Sequence, residues 1–234
     1  STFLVAGVMA ASNATASGQF ERGDSLLRVL AAREAAMLPL ELYQYRRAVA
    51  WAKSRPQSAL VESRAVVATE PRVPFLWSQY AEDAFYANHP AEALMAFDSL
   101  AVILQERRQE SDDAPIRAQA LHQLGRFADE LAIATRSVAK YPAQPHMSVL
   151  RIAPLAALGQ VDTLVVMLAA IESRDSTRDI ARLARSAAIE LDAHGHTKGA
   201  DRLRALGMEW LSRHPLPPNA SITRRLNAIE LLMD

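Results

Sequence analysis

Residues 74–97 read PFLWSQYAEDAFYANHPAEALMAF. Apolar residues recur three and four positions apart in this stretch, and Pro74 and Pro90 punctuate it. That spacing lays one apolar stripe along a helix rather than alternating across a strand. The stretch is therefore expected to fold as two helices, 74–88 and 90–108, joined by a tight turn.

The same pattern extends in both directions. Helices are expected over 2–13, 19–37, 39–54, 56–69, 114–124, 126–140, 145–158, 160–173, 177–194, 197–213 and 219–233. The pattern also repeats. Ala59 opens Ala-Leu-Val-Glu-Ser and Ala93, 34 residues on, opens Ala-Leu-Met-Ala-Phe; Gly125 and Gly159 are again 34 apart, and Gly195 follows 36 later. A fixed period near 34 is the mark of stacked helix-turn-helix units.

Composition agrees. The chain has 234 residues, 50% apolar and 22% charged, enough to bury a core. Only 6% of residues are aromatic and only eight are Gly, whereas Ala, Leu, Arg and Glu favour helix. The 26 basic and 26 acidic residues cancel, which argues against a nucleic-acid binder, and the absence of Cys excludes disulfides and Cys-ligated zinc. Of the basic residues 23 are Arg and three are Lys, a bias expected of a bacterial chain. Phe3 to Ala11 is too short an apolar run to cross a membrane and lacks a basic flank, so a buried helix is expected there. A start at Ser1 and an abrupt end at Asp234 raise the expectation of a piece of a longer chain.

Position by position, the units resemble the tetratricopeptide repeat family. In the unit from Pro74, Trp77 and Tyr80 stand at the large first-helix positions, Ala81 and Ala93 at the small ones and Phe97 at the second-helix aromatic. The unit from Leu40 offers Tyr43, Ala59 and Pro71; the next offers Gly125, Phe127 and Pro142, with Glu130 where Ala is usual. The resemblance implies an all-α, TPR-like α-solenoid of about six antiparallel helix pairs plus a C-terminal helix. As a single domain over 1–234 it divides into a degenerate pair 1–38, better units 40–71, 74–108 and 111–142, weaker units 145–176 and 177–213, and a terminal helix 219–233. A lone hairpin cannot bury its apolar face, so each must stack on its neighbours, with small residues letting helices approach. The runs SRPQSALVESRAVVATEP (54–71), ALHQLGRFADELAIA (120–134) and AHGHTKGADRLRALGMEWLSRHP (193–215) also look similar to helical-repeat regions of bacterial signalling kinases and membrane-tethered transcription regulators.

The chain has no Gly-x-Ser-x-Gly, phosphate loop or His-Glu-x-x-His, so no enzyme is expected and no cofactor. His194 and His196 flank a helix-ending Gly195, with His214 one helix later; that spacing chelates poorly, no carboxylate stands at i+4, and no metal is expected. Glu106, Glu110, Asp112 and Asp113 are expected to be a solvated loop surface.

The resemblance implies a concave wall lined by first-helix residues. By register these are Gln44, Ala48 and Trp51; Phe75, Ser78, Glu82, Phe85 and Tyr86; Gln119, His122 and Gln123; and Arg182, Arg185 and Asp192. Aromatic residues with Arg are common at protein-binding hot spots. Inter-repeat core is an equally good reading of Trp51, Phe85 and Tyr86. The Lys, Asn and Arg with which some family members grip chaperone C-termini are replaced here at Gln44, Ala48, Ser78 and Glu82, so such a tail is not expected. The expected function is a non-enzymatic scaffold holding a partner protein or peptide, with no nucleic acid and no membrane insertion, in a larger complex that could dock on a membrane assembly on either side. The alternative is the sensor region of a signalling kinase or membrane-tethered regulator.

Overall fold

A computed structural model describes residues 2–107, 114–142, 144, 148–174, 179–215, 221–222, 225–226 and 229–230. Among the described residues there is no strand, and the fold is an all-α tetratricopeptide-like arrangement of helical hairpins. Backbone contacts gather into two compact units, Ser1–Ala120 and Leu121–Asp234.

In the first unit, α1 (Thr2–Ala16) pairs with α2 (Phe20–Ala31), α3 (Pro39–Ala52) with α4 (Pro56–Thr69), and α5 (Pro74–Tyr86) with α6 (Pro90–Glu106). Hairpins stack through α1 on α3 and α4 on α5. Proline stands at the first helical position of α3 to α6, where its fixed φ suits the helix and its missing N–H is no loss. The α2 helix stops at Ala31 and a 3₁₀ turn follows over Glu34–Ala36, ahead of Leu38, which is extended as residues before proline must be. Leu4, Val8, Ala11, Leu27, Leu30, Tyr45 and Ala48 form one core cluster. As expected, α1 is a helix with its Leu4, Val8, Ala11 and Ala14 side buried.

α7 (Ala114–Gln123) leads through a turn into the second unit, which holds α8 (Phe127–Lys140), α9 (Ile152–Ala157), α10 (Val161–Arg174), α11 (Ile180–Ala193) and α12 (Thr197–Arg213). α11 pairs with α12, and α9 packs against α8, α10 and α11. Leu155, Leu164, Leu168, Ile180, Leu183, Leu191, Leu203 and Trp210 close its core. Burying each Leu or Ile contributes roughly 1.5–3 kcal/mol.

Each hairpin turns in the same way. One residue per turn takes a left-handed backbone: Gly18, Ser54, Asn88, Gly125, Gly159 and Gly195. The fourth residue of each second helix faces inward: Gly23, Ala59, Ala93, Glu130, Leu164 and Ala200 are all buried. At Gly23 a Cβ would come within 2.4 Å of Thr15 Oγ1, so the hairpin α1/α2 closes only on glycine. Ala59, Ala93 and Ala200 fill the position in three other hairpins and Leu164 in a fourth, and at Glu130 a carboxylate occupies it.

The helix expected over 145–158 is interrupted: Ser148 and Val149 are helical, Leu150 and Arg151 form a turn, and Ile152–Ala157 is helical, while 145–147 lie outside the described residues. Pro154 sits in the first turn of α9, where its missing N–H is harmless; deeper in a longer helix it would clash with the carbonyl of Leu150. Of the terminal helix expected over 219–233, Ile222, Arg225, Leu226, Ile229 and Glu230 are helical, Ser221 is not, and the others lie outside the described residues, as do Glu110, Asp112 and Asp113. Among the described residues no helix is long and apolar enough to cross a membrane.

Candidate functional site

The first helices α1, α3 and α5 line a groove of about 600 Å³ in the first unit. Each contributes a row with the same 4-3-4 spacing: Val5, Met9, Ser12 and Ala16; Leu40, Gln44, Arg47 and Trp51; Phe75, Gln79, Glu82 and Tyr86. Corresponding members are 35 residues apart, so the repeat period carries directly into the lining. The groove is zoned along the helices. Val5, Leu40 and Phe75 make one end apolar, amides and charges follow, and Trp51 with Tyr86 makes the other end aromatic.

A polar seam joins α3 to α5 at its floor. Tyr43 Oη and Gln44 Nε2 each donate to Gln79 Oε1 at 2.9 Å. Arg47 Nε donates to Asp83 Oδ2 at 2.8 Å, Arg47 Nη2 to Glu82 Oε2 at 2.6 Å, and Trp51 Nε1 to Asp83 Oδ1 at 2.8 Å. Asp83 is 0% exposed, so its charge is bearable only because these donors surround it. Burial disfavours the Arg47 charge, but the hydrogen bond and field of Asp83, with Glu82, more than offset it and raise its pKa. Burial pushes the Tyr43 phenol well above its ordinary value. The groove's arginine is thus already neutralised and is not an anion receptor. Trp51 is fixed edge-on to Tyr86, ring centroids 5.1 Å apart, whereas Phe75 and Tyr86 are 56% and 51% exposed.

Gln44, Trp51, Phe75, Glu82 and Tyr86 therefore meet in one groove. Phe85 does not join them: it is 8% exposed and packs edge-on against Tyr86 from the core side. Ala48 also lines the groove, though it is only 8% exposed, and Ser78 is exposed but outside the lining. Gln119 is exposed on α7; Arg182 is exposed at the start of α11, and Arg185 pairs with Glu230 at 3.2 Å. The row on α1, Leu40, Arg47 and Gln79 were not anticipated. The degenerate first pair carries no aromatic marker, but counting back 35 from Leu40 and Gln44 would have reached Val5 and Met9.

His122 belongs to a different cluster, inside the second unit. Its Nδ1 lies 2.8 Å from Glu130 Oε2 and its Nε2 3.0 Å from Glu190 Oε1. His194 Nε2 lies 2.8 Å from the same Glu190 oxygen. The Phe127 ring packs against both imidazoles, 5.1 Å from His122 and 4.7 Å from His194. Burial raises the Glu130 pKa, opposed by the hydrogen bond from His122. No carboxylate stands at i+4 of His194, but one stands at i−4. Glu190 precedes it by four residues, one helical turn, and the two side chains meet.

No protein-family model matches the chain, and no curated protein sequence matches it. Solved structures do. MamA from Desulfovibrio magneticus RS-1, residues 41 to the end, superposes with a TM-score of 0.56 at 16% identity, over 76% of this chain and 98% of that one. A MamA RS-1 ArsTM double mutant gives 0.56 at 14% identity, over 76% and 97%. At such identity the likeness is one of fold, and it agrees with a tetratricopeptide-like helical repeat.

Proposed function

We propose that this chain is a non-enzymatic interaction scaffold that takes a segment of a partner protein into the groove of its first unit. The supporting observation is the three-row lining at a 35-residue period, which leaves Phe75 and Tyr86 exposed beside a floor already fixed by hydrogen bonds. A rigid floor with accessible aromatic anchors is what a protein-binding hot spot requires, because little side-chain entropy is lost on association. The groove's one cation, Arg47, is held by two carboxylates, so recognition rests on apolar and aromatic contact with amide hydrogen bonding at Gln44 and Gln79. Nucleic acid and anionic tails are poor ligands for such a surface.

Co-purification with mass spectrometry tests this. Wild-type protein should retain a partner that the Phe75→Ala/Tyr86→Ala variant loses while keeping its helical content. Equal retention by a folded variant would refute the groove assignment.

A further inference from the structure

We propose that His122, Glu190 and His194 form a binding site for a divalent transition-metal ion of the zinc class, supported by Glu130. The potential ligand atoms, one from each residue, all lie within 4.8 Å of one another. Tetrahedral ligands at about 2.0–2.2 Å from zinc stand about 3.3–3.5 Å apart, so 3.0 and 2.8 Å separations need only a small outward adjustment. Two imidazoles and one carboxylate are a donor set suited to zinc, and they leave a fourth position for water.

Glu130 supplies a second, independent sign. Metal-bound histidines usually donate their other ring N–H to a carboxylate, which fixes the tautomer and orients the ring. His122 Nδ1 faces Glu130, which is only 3% exposed, so Nε2 is directed at Glu190 and His194. That carboxylate occupies the inward fourth position of its helix, where the other hairpins hold the uncharged Gly23, Ala59, Ala93, Leu164 and Ala200. A buried Glu there is costly unless it is paired, and the partner it has is His122.

The ion would tie the end of α7 and, through Glu130, α8 to α11, clasping the second unit at a point where its elements are far apart in sequence.

The test uses the untagged full chain, stripped with a chelator and titrated with Zn²⁺ or Co²⁺. The expected result is one tight equivalent per chain, a rise in melting temperature and the ligand-field bands of tetrahedral Co²⁺. His194→Gln and Glu190→Gln should each weaken binding at least about tenfold, and Glu130→Gln by roughly 10–100-fold, whereas His89→Gln should bind as wild type does. Binding undiminished in folded His194→Gln, or no binding by wild type, would overturn the proposal. Should the variants fail to fold, the wild type still decides. Imidazole ¹⁵N resonances of His122 and His194 that shift on adding Zn²⁺ support the site; shifts confined to other histidines overturn it.

Discussion

Arg47 reaches from α3 to Asp83 on α5, Nε to Oδ2 at 2.8 Å, and the aspartate it meets is wholly enclosed. One guanidinium thereby joins two successive hairpins and sets the floor of the groove. Removing it would strand a buried carboxylate with only the Trp51 N–H as a side-chain partner. Arg47→Met should therefore destabilise the protein by about 3–5 kcal/mol in urea unfolding, and Arg47→Met/Asp83→Leu should recover much of that loss.

Exposed and buried aromatics should part company in stability. Phe75→Ala should change unfolding free energy by within about 0.5 kcal/mol, as surface substitutions do, and Tyr86→Ala, which gives up ring contacts with Trp51 and Phe85, by about 0.5–1.5 kcal/mol. Phe97→Ala, at a side chain 2% exposed, should lose about 3–5 kcal/mol. Thermal and urea denaturation of the three variants compare them directly.

The seam between α4, α5 and α6 should respond to pH at both extremes. Arg64 and Tyr80 hold Glu92 through hydrogen bonds of 2.5 Å. The Arg64 hydrogen bond, partly opposed by burial and aided by Tyr80, keeps the Glu92 carboxyl below its ordinary 4.5. Its contribution is therefore present above that value and lost as pH falls through the lower folded pKa. Burial, then the hydrogen bond to Glu92, pushes the Tyr80 phenol from 10.0 up to about 12. The folded state holds that proton more tightly, so this contribution is complete below pH 10 and fades as pH climbs from 10 toward 12. Denaturation midpoints of wild type and Tyr80→Phe should accordingly converge over that interval, and Glu92→Gln should flatten the acid limb.

Two turn glycines separate backbone strain from steric clash. A Cβ at Gly125, φ +70°, meets nothing within 4 Å, so Gly125→Ala should lose only the left-handed penalty of about 1–2 kcal/mol. At Gly159, φ +66°, the Cβ would sit 2.7 Å from the His196 ring, which also lies 3.3 Å from the Ala157 carbonyl through Nε2. Gly159→Ala should lose clearly more, and Gly159→Ala/His196→Ala should recover the difference.

The helical hairpins were legible in the sequence because their signals are local. Proline at helix starts, the three-four apolar spacing and the 34-residue recurrence of Ala59 and Ala93 are all written within one unit. Ser54 gives no sign of its left-handed backbone, whereas Asn88 is of a type that tolerates that region and stands just ahead of His89-Pro90, a signal the helix expected over 74–88 overrode. Trp51, Phe75 and Tyr86 were placed on the groove side by register, but Phe85, one residue from Tyr86, sits a third of a turn away and falls into the core. The His122, Glu190 and His194 cluster was missed because His122 stands about seventy residues before the other two and only tertiary packing joins them. Two local traces of it existed, Glu130 at a position that elsewhere holds small or apolar residues and Glu190 one turn before His194.

Site-specific photocrosslinking in the cell of origin measures the groove most directly. With p-benzoylphenylalanine in place of Phe75 or of Tyr86, a discrete adduct with one protein should form; in place of Val102, an exposed residue of the second helix α6, it should not. Adducts at Val102 alone, or none at Phe75 and Tyr86, would contradict the account.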